Sequence, residues 1–95
     1  MMTFYQLITD SYKRYHLSVY LYIYNKVSNK EEAEDLAQDV FVRLLDYKQM
    51  LRPDTVKVFI YTISRNLTND YLRVIIRNRR LLLIYTMWRK LVIMR

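Results

Sequence analysis

Apolar residues recur every three or four positions along nearly the whole chain, a period that predicts helices rather than strands. From Phe4 to Val27, the series Phe4, Ile8, Tyr12, Tyr15, Val19, Ile23 and Val27 falls on one face, and Thr3 with Gln6 has capping-box spacing at its start. Six tyrosines (Tyr5, Tyr12, Tyr15, Tyr20, Tyr22, Tyr24) lie here, more than one stripe can bury. Most are expected at the core rim, with some hydroxyls turned to solvent or a partner. The pattern breaks at Ser28–Lys30, where Ser28 and Glu31 repeat the capping-box spacing. Glu31, Glu32, Glu34 and Asp35 crowd the next first turn, where acids suit the positive end of the helix dipole. This second helix is expected to reach about Tyr47, with Ala33, Leu36, Ala37, Val40, Phe41, Leu44 and Leu45 facing the core. On its other side Asp35, Gln38, Asp39 and Val42 stand at i, i+3, i+4 and i+7. Taken alone, such a polar stripe reads first as a solvated face, and second as a track for a partner helix.

Lys48–Thr55 reads as a loop, since Pro53 cannot occupy a helix interior and Asp54 or Thr55 can cap the next helix. The helical period resumes at Val56 with Phe59, Ile60, Ile63, Leu67, Tyr71 and Val74, and is expected to end near Ile76. At about 100° per residue, these positions cluster in one direction. Lys57, Tyr61, Arg65, Asn69 and Arg73 take the opposite half, with Asn66 at its border and Arg77, Arg79 and Arg80 continuing the basic character. A solvated helix would interleave acids for i,i+4 pairs, yet only Asp70 does so. Cations alternating with Tyr and Asn suit nucleic acid, where cations hold phosphates while amides and aromatics meet bases. The last fifteen residues, Leu81–Arg95, include eleven apolar ones, Trp88 among them, spread most of the way round. That segment is expected to pack on the domain, on another chain or on a membrane.

Composition narrows the fold. Zero glycine and one proline in 95 residues exclude most turn-rich β architectures and any Gly-rich phosphate loop. No cysteine and a single histidine, His16, argue against disulfides, zinc sites and His-based catalysis. The expectation is an all-α bundle of about three main helices over residues 1–80, with a helical tail over 81–95. Charge is divided unevenly: residues 1–50 carry 6 basic and 7 acidic side chains, net −1, and residues 51–95 carry 10 and 2, net +8. The second half is therefore expected to meet a polyanion, either nucleic acid or an anionic membrane surface. Met1–Gln6 holds no basic n-region, and the longest apolar runs, Val19–Tyr24 and Leu81–Tyr85, are far short of the ~20 residues that span a bilayer. A soluble, cytoplasmic protein is expected.

Two stretches carry a resemblance. Ala33-Glu34-Asp35-Leu36-Ala37-Gln38-Asp39-Val40-Phe41-Val42-Arg43-Leu44, followed by Phe59-Ile60-Tyr61-Thr62-Ile63-Ser64-Arg65-Asn66-Leu67-Thr68-Asn69-Asp70-Tyr71-Leu72-Arg73, resembles conserved region 2 of bacterial RNA polymerase sigma factors, nearest the extracytoplasmic-function group. The resemblance covers about residues 4–77. It implies that Asp35, Gln38 and Asp39, with Val42 nearby, dock on the clamp helices of the polymerase β′ subunit. It also implies that the third helix and the loop before it recognise and open the promoter −10 element by capturing an unstacked base, whose unstacking cost pocket contacts offset. Asn66 matches a position near that base. Arg65 and Arg73 match phosphate-holding positions, with Lys57 and Arg77 adding to the field, and Leu51, Arg52, Tyr61 and Asn69 complete the expected DNA face. This requires Arg65 and Asn66 to point into a common exposed groove. No cofactor, metal or small-molecule substrate is implied, and an anti-sigma factor is a candidate regulator.

The chain departs from the family pattern in several places. The loop lacks glycine and has Leu51 near where many relatives carry an aromatic; Phe59 replaces a usual tryptophan, and Val74 a common second arginine. Sigma factors of this group continue into a helix-turn-helix domain that reads the −35 element, whereas this chain stops at Arg95. A fragment, a truncated gene product and a tail with its own role are the alternatives, and weak specific promoter binding is expected. A membrane-surface or partner-binding helical protein is the competing class. An enzyme is the poorest reading, because nearly all carboxylates lie in a helix first turn or on an outer face.

Overall fold

Thr3 opens the first helix as its sequence spacing predicts. Its hydroxyl accepts from the Gln6 N–H (3.2 Å), and the Gln6 side chain accepts from the Thr3 N–H (2.9 Å). In the computed structural model, which describes residues 3–93, α1 runs Phe4–Val27, α2 Lys30–Leu44 and α3 Val56–Ile93. A 3₁₀ turn, Leu45–Tyr47, prolongs α2 to the expected end point. No strand occurs among the described residues, and the fold is all-α. Met94 and Arg95, the end of the expected tail, lie outside the described residues.

The α1–α2 junction differs from its expected form. Ser28 is the C-cap of α1, in the left-handed region at φ 55, and donates its N–H to the Tyr24 carbonyl (2.9 Å). The N-cap of α2 is Asn29, whose Oδ1 accepts from the Glu32 N–H (3.0 Å). Ser28 and Glu31 therefore form no capping box. Only two residues separate the helices, so one must reverse the chain and the next must be extended. With no glycine available, Ser28 takes the reversing position that glycine usually fills.

One cluster holds the three helices together. Val19 and Ile23 of α1, Ala33, Val40 and Leu44 of α2, and Ile60 of α3 are 0% exposed, each larger aliphatic stabilising the fold by about 1.5–3 kcal/mol relative to exposure. Leu7, Ala37, Phe41, Leu51, Val56, Ile63 and Leu67 complete the core. Ser64 and Thr68 are buried as well, which an apolar count along the chain passes over. Their hydroxyls donate to the Ile60 and Ser64 carbonyls (2.6 and 2.7 Å), so no donor is stranded. Three expected core positions are exposed instead: Tyr12, Leu45 and Val74. Tyr12 still sets its ring edge-on to Phe41 at 5.1 Å. Leu45 is turned outward by the 3₁₀ turn, and Val74 lies beyond Thr68, the last fully buried residue of α3.

The loop is fixed from both ends. The Thr55 N–H donates to the Arg52 carbonyl (3.0 Å), with Pro53 at the turn position its fixed φ suits. The Thr55 hydroxyl accepts from the Arg52 N–H (3.1 Å), so this side chain caps the loop.

Helix α3 does not stop near Ile76 but continues to Ile93, 38 residues in all, or about 57 Å. Between Val56 and Ile93 there is neither Gly nor Pro to end it, and Leu, Arg, Met and Lys favour helix on their own. The distal part leaves the bundle behind, so the chain is elongated, 74 × 23 × 16 Å. Its radius of gyration is 18.8 Å, against about 12 Å for a compact chain of this length.

Candidate functional site

On α2, the face opposite the core presents the expected stripe. Asp35, Gln38 and Val42 are exposed, the last at 60%, and Asp39 is partly covered. Burial of Ala33, Ala37, Val40 and Leu44 fixes the rotation of the helix, and with it the outward direction of the stripe. Asp39 Oδ2 accepts from Arg43 Nε at 3.3 Å. Both partners are solvated, so the pair contributes at most about 1 kcal/mol and leaves the carboxylate available to a stronger partner. Gln38 borders a groove of about 300 Å³ between α1 and α2, walled by Tyr12, His16, Leu17 and Tyr20. Sequence reasoning gave none of these four residues a binding role and set Tyr12 on the core stripe. The signal was the surplus of tyrosines on α1, which could not all enter one core stripe. His16 lies on this wall, stacked on Tyr12 (4.8 Å) with Nδ1 donating to the Tyr12 carbonyl (2.9 Å).

On α3, Lys57, Arg65, Asn66, Arg73 and Arg77 are exposed, while Tyr61 and Asn69 are half-buried. Arg52 is exposed on the loop. Leu51 departs from the expected DNA face: at 8% exposure its side chain lies in the core, where it anchors the loop instead of offering a contact.

Arg65 and Asn66 do not share a groove. Adjacent residues on a helix diverge by about 100°, and here that carries them to the two flanks of α3. Arg65 lies beside Tyr22, Val58, Tyr61 and Thr62 on the α1 side. Tyr61 is steadied there by an edge contact with Tyr15 at 6.4 Å. Asn66 lines a recess of about 120 Å³ on the other flank, with Arg43, Asp46, Tyr47, Ile63, Leu67 and Asp70. That volume is below the ~300–1,000 Å³ of drug-sized ligand sites. Tyr47, set 5.2 Å from the Phe59 ring, and Tyr22 each come from another element, so the helical pattern of α3 could not reveal them. Farther along, Arg73, Ile76, Arg77 and Arg80 form one shallow cationic surface. Asp70 accepts from Arg73 Nη1 at 3.2 Å, both side chains well solvated. Among the described residues, no group of three His, Cys, Asp or Glu side chains is placed to hold a metal ion.

Comparison with known proteins identifies the family of this chain. The RNA polymerase sigma factor YlaC of Bacillus subtilis (strain 168) is 32% identical over 60 residues, covering 62% of this chain and 35% of that protein. The ECF RNA polymerase sigma factor SigX of the same organism is 30% identical over 70 residues, covering 73% of this chain and 34% of that protein. The chain thus spans about a third of the length of these relatives. No solved structure matches it. The family model for Sigma-70 region 2 matches residues 11–80, a stretch that contains the α2 stripe, the loop, the Asn66 recess and the cationic part of α3 through Arg80. The chain belongs to the Sigma-70 region 2 family, with relatives in the extracytoplasmic-function group.

Proposed function

We propose that this chain serves transcription initiation, with α2 docking on the β′ clamp helices of core RNA polymerase and α3 engaging the promoter −10 element in the cytoplasm. The family is one of non-enzymatic initiation factors, and the roles proposed here are binding roles. One observation carries the reading: within the matched residues, an outward stripe of acid and amide on α2 coexists with an outward cationic face on α3. The single groove that the DNA assignment was expected to require is absent, so the reading is revised to assign the two tasks to separate flanks. The Asn66 recess, where the Asp46 and Asp70 carboxylates stand with Arg43, offers acceptors to the amino edge of a flipped base. The Arg65 groove, with Tyr22 and Tyr61, suits backbone phosphate and stacking. An anti-sigma factor that covered either surface would silence the module.

Replacing Gln38 and Asp39 together by lysine reverses the stripe without touching the core, and is expected to abolish binding to core polymerase while the thermal midpoint falls by no more than a few degrees, from loss of the Asp39–Arg43 pair. Core polymerase binding this double variant with wild-type affinity would overturn the assigned interface. The two flanks separate on single-stranded −10 DNA. Arg65→Ala is expected to weaken all sequences alike and to reduce the salt slope by about 0.7. Asn66→Ala is expected to flatten base preference at one position and leave that slope unchanged. The same salt dependence for both variants would refute the division.

A further inference from the structure

Beyond residue 80, where the family match ends, α3 continues as a helix whose every side chain through Val92 is exposed. Its large apolar residues are between 50% and 69% exposed, with no partner in the fold. A run of this kind exceeds the scattered surface hydrophobics of soluble proteins and marks a docking surface.

Its sidedness narrows the choice of occupant. At about 100° per residue, Leu81, Leu83, Ile84, Tyr85, Met87, Trp88, Leu91 and Val92 follow one another around a sector of about 200°. The opposite side carries Asn78, Arg79, Thr86, Arg89 and Lys90, with Leu82 the single large apolar side chain among them. Going toward the bundle, the apolar face continues in the same direction into Arg73, Arg77 and Arg80, which share one surface patch. From Tyr71 to the end of the chain there is no acid. Two copies laid face to face would press these like charges together, with no carboxylates on the segment to offset them. The apolar sector stands clear of the bundle, open to a flat surface. No helix among the described residues is long and apolar enough to cross a membrane. A basic helix with Trp and Leu on one side and Arg and Lys on the other is the form that lies in a bilayer interface.

We propose that residues 81–92 form a docking helix for anionic lipid bilayers, seating Ile84, Trp88 and Leu91 among the acyl chains while the basic residues meet the headgroups. The proposal goes beyond the polymerase and DNA roles and does not rest on them. Arg73, Arg77 and Arg80 reach the headgroups first, on the same side as the apolar face, while Arg79, Arg89 and Lys90 extend along the interface from the polar side.

The test uses the full 95-residue chain and vesicles of equimolar phosphatidylglycerol and phosphatidylcholine, with pure phosphatidylcholine as the neutral arm. Trp88 is the chain's only tryptophan, so its emission reports this helix alone. The chain is expected to co-sediment with the anionic vesicles and only weakly with the neutral ones. Trp88 emission shifts to the blue and is quenched by acyl chains brominated at the shallow depth of about 5–10 Å. Arg89→Gln with Lys90→Gln lowers the partition coefficient about 25-fold, near fivefold per cation. Ile84→Glu with Leu91→Glu abolishes sedimentation with an unchanged thermal midpoint, since neither residue touches the core. Failure to sediment with anionic vesicles, equal sedimentation with neutral ones, or retained binding by the Ile84/Leu91 variant overturns the proposal. A blue-shifted Trp88 without lipid, in a chain that sediments as a dimer, overturns it too, because a second copy then covers the face.

Discussion

Ser28 and Leu51 show how single positions set the limits of this fold. Holding a residue with a Cβ in the left-handed region costs about 1–2 kcal/mol, and Ser28 does so at φ 55 to join α1 to α2. Glycine relieves that cost but adds freedom to the unfolded chain. Ser28→Gly is therefore expected to stabilise by about 0.5–1 kcal/mol, read as a rise of a few degrees in Tm. Leu51 reaches from the loop into the core. Leu51→Ala is expected to cost about 3 kcal/mol and to lower Tm by more than about 10 °C, a change in thermal melting that loss of a DNA contact alone would not produce. Neither role was legible in the chain. Ser28 satisfies capping-box spacing with Glu31 as well as any true cap does, and the demand for a reversing residue arises only once two helices must meet. Leu51 sits in a loop with no period, where one apolar residue does not declare which way it faces.

At the scale of elements, legibility followed the strength of the period. Both ends of α1 were readable, because the cap pair at Thr3 and the apolar series agree. The outward stripe of α2 was readable because its opposite side is so cleanly apolar. The grooves beside Arg65 and Asn66 were not, since Tyr22 and Tyr47 arrive from other elements and no pattern within α3 encodes them. The length of α3 escaped for a different reason. Core-facing periodicity fades after Tyr71, but helix propensity persists where packing does not. Unsupported helical turns open readily. In hydrogen exchange without lipid, amides of residues 81–92 are expected to exchange orders of magnitude faster than those of residues 60–68. Comparable protection in the two segments would show that the distal turns are held by a contact absent from this fold.

At the scale of the whole molecule, the charge imbalance and the shape have a common origin. The near-neutral first half builds two of the three bundle helices, and the basic second half builds most of the loop and all of α3. The bundle therefore has one long cationic edge that runs past its own end. A single unbroken helix also joins the Asn66 recess to the apolar end. Were the far end gripped as proposed, this helix would link Leu91 to the recess with no Gly or Pro between them. It would also be a fuse, since the unsupported turns melt before they transmit a large torque, which would cap the force that a far end anchored as proposed could exert on DNA held as proposed.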